Sequence, residues 1–375
     1  MDPFLRYAKQ RQKDIIALTR EFVECESPSD SPTDIKRFVD LLSARVSDIA
    51  KVKRFPGGHA RFEFSLPGAK KSGQILALGH SDTVWSLGTL NTMPFLEKKG
   101  RLWGPGVLDM KAGIAFFIFA MRALRELDAP VAKKVVLQVN ADEEVGSDSS
   151  RALTEEAARV SDAVLVLEPG TGLEGKLKTA RKGVGDYTIT VRGRASHAGV
   201  DFANGANAIV EMSRQLERVA GFTKLAEGVT VSPGVIHGGT RSNVVPAECV
   251  TEVDIRIPRL RDEAYLQKKF GSLKPFDKRC AVEVTGGLNR PPMERSAGVR
   301  KLYKLAEKLA AELGVTLQES ATGGGSDGNF TAALGVPTLD GLGAVGEGAH
   351  APHESILIDR IADRTALLAK LTAAI

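Results

Sequence analysis

Three short, nearly apolar runs constrain this chain more than any other feature. They are Ile75-Leu76-Ala77-Leu78-Gly79, Val135 to Val139, and Ala163 to Leu167. Runs of this length bounded by turn residues read as strands buried on both faces. Between the first two, Ala112 to Leu127 has the composition of a helix. Strand, helix and strand in this rhythm predict an α/β fold: a mostly parallel sheet between helices. Further helices are expected around Ile15 to Val23, from Thr33 to Ile49, from Ala297 to Leu313 and from Asp359 to Ala373.

The pattern changes near Thr179. Tyr187 to Val191 and Glu252 to Ile257 alternate apolar and polar residues, as half-exposed antiparallel strands do, with a helix expected from Asn207 to Val219. The chain therefore divides into a discontinuous α/β domain, residues 1–179 and 292–375, interrupted by a smaller α+β domain, residues 180–291. With 43% hydrophobic and 26% charged residues, the 375 residues carry enough apolar side chain for ordinary cores, which excludes a disordered chain. The formal charge of +5 comes from scattered basic residues, not the dense patch of a nucleic-acid groove. Cys25, Cys249 and Cys280 form no CxxC pair, which excludes a disulfide framework and argues against a cysteine zinc site. The first residues carry charges where a signal peptide would be apolar, and Ala112 to Met121 is too short to span a bilayer. A cytoplasmic protein without nucleic-acid or membrane partners is expected.

The chemistry lies where the buried strands end. The first run leads into His80-Ser81-Asp82, the second into Asp142-Glu143-Glu144, the third into Glu168-Pro169. Asp109 precedes the helix at Ala112. Ligands bind at the carboxyl edge of open α/β sheets, and a histidine with several carboxylates there is the donor set of a metal site. Each has a plainer reading alone: a buried histidine, a helix cap, a solvated acidic loop, a strand stop. Four such coincidences at strand ends favour the metal site. Gly323-Gly324-Gly325-Ser326-Asp327-Gly328 lacks the Lys-Ser/Thr of a phosphate loop.

His80-Ser81-Asp82-Thr83-Val84, Gly104-Pro105-Gly106 with Asp109-Met110-Lys111, Glu143-Glu144 and Glu168-Pro169 resemble the co-catalytic dinuclear zinc carboxypeptidase and aminoacylase superfamily. The resemblance continues through Gly193 to Gly199, Asn243-Val244-Val245-Pro246, Asp254-Ile255-Arg256 and Gly348-Ala349-His350, covering nearly the whole chain in order. It implies two zinc ions per subunit, replaceable by cobalt or manganese. Asp109 would bridge them, His80 and Glu168 completing one site, Glu144 and His350 the other. The spacing to Glu354 selects His350 over His353. Asp82 would accept the other N–H of His80 and orient it. Glu143 would be the general base. A cis peptide is implied at Asp109-Met110. Met110 stands where some members have a polar residue, which leaves the polarity of the pocket open.

From the inserted domain the resemblance implies His197 as oxyanion donor and Asn243 as a substrate contact, in several members across a homodimer. Arg256 and Arg290 would grip a substrate carboxylate, and Gly324 and Gly325 would line the substrate with backbone N–H groups. The implied activity is release of a C-terminal amino acid, glutamate among them, from a small peptide. An N-acyl-amino-acid deacylase is the alternative, and a non-catalytic amino-acid or peptide binder a remote one.

Overall fold

The computed structural model describes residues 1–68 and 71–375 and separates into two compact units. One comprises Met1–Ala180, Arg295–Thr322 and Ser326–Ile375; the other comprises Arg181–Glu294 with Gly323–Gly325.

The larger unit is built on a six-stranded mixed sheet. Its strands are β1 (Ala50–Arg54), β2 (Ala60–Phe64), β3 (Gln74–His80), β4 (Lys134–Asn140), β5 (Ala163–Val166) and a short strand at Thr338–Leu339. The spatial order is β1-β2-β4-β3-β5 followed by Thr338–Leu339. The last four positions run parallel, while β1 and β2 add an antiparallel edge. The three apolar runs are buried on both faces. Ile75, Ala77, Val135, Leu137 and Leu165 join the main core, and Leu76, Leu78, Val136, Val164 and Val166 pack into a second cluster on the other side. The helix Ala112–Glu126 is buried almost all round. A Cβ at Gly113 would lie 2.2 Å from the Leu167 carbonyl oxygen, so this close packing of helix on strand end admits only glycine. Because β3, β4 and β5 are parallel, their carboxyl ends share one edge of the sheet.

The helix expected at Ile15 to Val23 is part of Gln12–Glu24; a separate helix, Pro3–Gln10, precedes it, and a helix at Arg151–Arg159 was not anticipated. Its sequence is mostly polar, and it buries only Thr154, Ala157 and Ala158.

The smaller unit is an antiparallel sheet of β6 (Gly183–Arg192), β7 (Thr230–Gly238), β8 (Glu248–Ile257) and β9 (Ala281–Arg290), in the order β7-β8-β6-β9. Tyr187, Ile189, Val191, Val253, Ile255 and Ile257 point to one face. There they meet Met212 and Val219 of the helix Ala208–Ala220 and Leu266 and Phe270 of the helix Arg261–Gly271. Tyr187 stacks on Phe270 with ring centroids 3.8 Å apart. Among the described residues no helix is long and apolar enough to cross a membrane.

Candidate metal centre

His80 closes β3, the Glu143-Glu144 turn follows β4, and Glu168 follows β5, so parallel pairing brings all three to one edge. Asp109 comes from the turn before the helix at Ala112, and the Asp109-Met110 peptide is cis. His350 comes from a loop near the C-terminus, with φ +61°.

Asp109 sits between the two histidines. Its Oδ1 lies 3.2 Å from His80 Nε2 and its Oδ2 lies 3.4 Å from His350 Nε2. His80 Nε2 is also 3.5 Å from Glu168 Oε1, and His350 Nε2 is 3.3 Å from Glu144 Oε2. Two three-ligand groups result, His80-Asp109-Glu168 and Asp109-Glu144-His350, each with its donor atoms within 4.8 Å of one another. His353 is exposed.

The electrostatics are those of a cation site. Burial alone would depress His80, but the carboxylates of Asp109, Asp82 and Glu168 outweigh it and raise its pKa well above the ordinary value. Hydrogen bonds to Asp109 and Glu144 push His350 up to about 10. Burial tends to raise Asp109, yet the two histidines hold its carboxyl far below the usual range. Glu144 is raised, first by burial. Its Oε1 is buried without a hydrogen-bond partner among the described residues. Nitrogen and oxygen donors, an orphaned carboxylate oxygen and a shared aspartate fit a pair of divalent metal ions.

Asp82 meets His80 with both its backbone and its side chain. His80 Nδ1 meets the backbone carbonyl of Asp82 at 2.9 Å, with the Asp82 carboxylate 3.5 Å away. That carboxylate also accepts the backbone N–H groups of Glu143 at 3.2 Å and Glu144 at 3.1 Å, and the Ser29 hydroxyl at 2.9 Å. Met110 is buried, and its Sδ accepts the His80 backbone N–H at 3.3 Å.

Two neighbours were not legible as site residues. Glu354, fully buried, had entered only as the acid that marks His350. Its Oε1 accepts Leu108 N–H at 2.8 Å and Asp109 N–H at 3.1 Å; its Oε2 accepts Gly106 N–H at 3.0 Å and the Trp85 indole at 2.8 Å. Lys178, also buried, places its ammonium 4.0 Å from Glu168 and 3.9 Å from Asp340.

In the smaller unit, His197 and Asn243 lie on adjoining loops: Asn243 O accepts Ala198 N–H at 3.0 Å, and His197 bridges to Val244. Both residues are exposed. His197 Nδ1 accepts the N–H groups of Gly199 and Val200, each at 3.1 Å, so the proton resides on Nε2. Arg256 pairs with its neighbour Asp254 at 2.7–3.0 Å, two residues along the same strand. Gly324 and Gly325 direct their carbonyls to Arg181 Nη1, at 3.2 and 2.8 Å. Arg181, unnoticed in the sequence, and Arg290 are both buried, 4% and 5% exposed.

Residues 76–374 match the profile of Peptidase family M20/M25/M40. Over 303 residues the chain is 32% identical to carboxypeptidase G2 of Pseudomonas sp. (strain RS-16), covering 79% of this chain and 72% of that protein. It is 28% identical over 292 residues to acetylornithine deacetylase of Klebsiella pneumoniae (strain 342), covering 72% and 74%. The fold superposes on the crystal structure of aminopeptidase PepT from Bacillus cereus ATCC 10987 with a TM-score of 0.81. The sequences there are 22% identical, covering 97% of this chain and 99% of that one. Fold, donor set and relatives define a metallo-hydrolase. The chain belongs to peptidase family M20/M25/M40.

Proposed function

We propose that this enzyme hydrolyses an amide bond to release a C-terminal amino acid, of glutamate type, from a small peptide or acylated amino acid. The observation that carries the reading is Asp109, each of whose oxygens faces a different histidine with a further carboxylate beside it. His80, Asp109 and Glu168 would hold one metal ion and Asp109, Glu144 and His350 the other, zinc suiting both sets. Bound there, the ions supply Lewis acidity and a water of lowered pKa. Glu143 takes a proton from the attacking water on its carboxylate and delivers it to the leaving nitrogen. His197, with its proton on Nε2, is the donor to the developing oxyanion, and Asn243 beside it contacts the substrate. Arg290 grips the substrate carboxylate, its planar guanidinium suiting two-point recognition. Arg256 is the second candidate for gripping that carboxylate, and Gly324 and Gly325 line the substrate.

Carboxypeptidase G2 as a relative supports the peptidase reading. The deacetylase relative favours a second one, removal of a short acyl group from an N-acyl-amino acid. Both use the same metal residues and differ in which side of the amide is recognised. A homodimer is supported by the smaller unit, where β7 is an exposed sheet edge. A cleft of about 590 Å³ lies beside it, lined by Phe202, Ile209, Val210 and Gly238 among others. Cytoplasmic residence fits three unpaired cysteines.

The test is turnover of peptidyl- and acyl-glutamates against small N-acetyl amino acids, with and without chelator. Chelator-sensitive glutamate release from the bulky substrates supports the first reading. Faster cleavage of the N-acetyl substrates replaces it with the second, and turnover unaffected by chelator on either set rejects the metal mechanism.

A further inference from the structure

The Gly-rich segment does more than line a substrate. Its Asp327 is 4% exposed, and its two oxygens take the side chains that bracket the acidic turn. Oδ2 accepts Asn140 Nδ2 at 2.5 Å, and Oδ1 accepts the Ser147 hydroxyl at 2.5 Å. Asn140 is the last residue of β4. Ser147 ends the turn, with its N–H bonded to the Asp142 carbonyl at 2.8 Å. Both are fully buried. One carboxylate therefore ties together the start and the end of residues 140–147, the stretch that carries Glu143 and Glu144.

The ties around it are consistent with a fixed loop. Asn140 Nδ2 also donates to Thr154 Oγ1 at 2.9 Å, and Gln138 Nε2 donates to Asn140 Oδ1 at 2.9 Å. Ser326, next to Asp327, donates to buried Asp340 Oδ2 at 2.7 Å, so the clamp is itself anchored. Buried networks with every member bonded hold geometry that surface bonds do not.

We infer that Asp327 is a positioning residue: it fixes the loop that presents Glu143 to the reacting water and Glu144 to the metal. The inference rests on the proposed roles of those two glutamates, but the clamp itself can be tested without turnover. Misplacing a catalytic group by about 1 Å costs on the order of 100-fold, and loss of partners outside the ligand shell costs about 10–100-fold in metal affinity or activity.

D327A is expected to lower kcat about 10–100-fold with KM little changed. D327N is expected to recover most of it, because its amide can accept from Asn140 and donate to Ser147, whose hydroxyl works either way. Hydrogen exchange of metal-free protein supplies the second readout. In D327A the amides of 140–147 should exchange faster while the rest of the larger unit keeps its protection. S147A, which removes one tie and keeps the charge, should show the same local change in smaller degree, and decides the matter if D327A does not fold. Wild-type exchange in this stretch in either variant overturns the clamp, as does acceleration spread evenly over the unit. A wild-type enzyme inactive on both substrate classes would defeat the proposed function and leave the exchange result to stand or fall alone.

Discussion

Glu354 Oε1 accepts the backbone N–H of Asp109 at 3.1 Å, across 245 residues of sequence. Each of its oxygens serves two donors, and Glu354 lies four residues from His350, so one buried carboxylate steadies two of the residues assigned to metal. Glu354→Gln puts an NH2 against two donors, a mismatch of about 1–3 kcal/mol. The expected result is a lower melting temperature and roughly 10–100-fold weaker metal affinity, read by calorimetric titration of the apoprotein. Wild-type metal affinity in a folded variant would refute the role.

Glu143→Gln keeps the side chain's size and removes the proposed base. Turnover should fall by about 10²–10⁴-fold with two metal ions per chain retained. Steady-state kinetics beside elemental analysis checks this, and retained activity would remove Glu143 from the mechanism.

Stripping the metals removes the charge that would offset the clustered carboxylates of Asp109, Glu144 and Glu168. Metal-free protein should melt at a lower temperature, and added zinc should raise it with concentration, by about 2.7 kcal/mol of stability at 100 times Kd. Scanning calorimetry with and without chelator measures it; a melting temperature blind to zinc would contradict the site.

His59 gives a pH prediction apart from the metal residues. It is buried, its Nδ1 accepts Ala141 N–H at 3.1 Å, and its Nε2 meets Ser149 Oγ at 3.0 Å. Burial lowers its pKa, although Asp142, Asp327 and Asp82 pull the other way. With a depressed folded-state pKa, the unfolded chain takes up a proton first as pH falls. The stabilisation is thus whole above about 6.5 and declines below it, by at most about 1.4 kcal/mol per pH unit. Urea unfolding of wild type and His59→Asn should show a stability difference that narrows from pH 7.5 to 5. A difference constant over that range would count against it.

Ile209 and Val210 are 40% and 48% exposed on the helix beside the exposed edge β7. Carboxylates at both positions should convert the proposed dimer to monomers in sedimentation velocity. A wild-type protein that sediments as a monomer would end the dimer reading.

What could be read from the sequence was local. The buried strands are legible because double-sided burial writes itself as an unbroken apolar run, and their chemical residues follow within a few positions. His80, Glu143, Glu144 and Glu168 are therefore found by walking off each strand end, and the motif around His350 distinguishes it from His353. Tertiary structure alone decided which atoms meet. Asp82 sets its carbonyl against His80 while its carboxylate accepts the backbone N–H groups of the acidic turn. Arg256 pairs with Asp254, while Arg181, an unremarkable basic residue in sequence, is buried and donates to the carbonyls of Gly324 and Gly325. Glu354 and Asp327 reach partners 245 and 187 residues away. Short-range patterning reports which side chains must be buried; which distant donors a buried carboxylate then satisfies follows only from the packing of the whole chain.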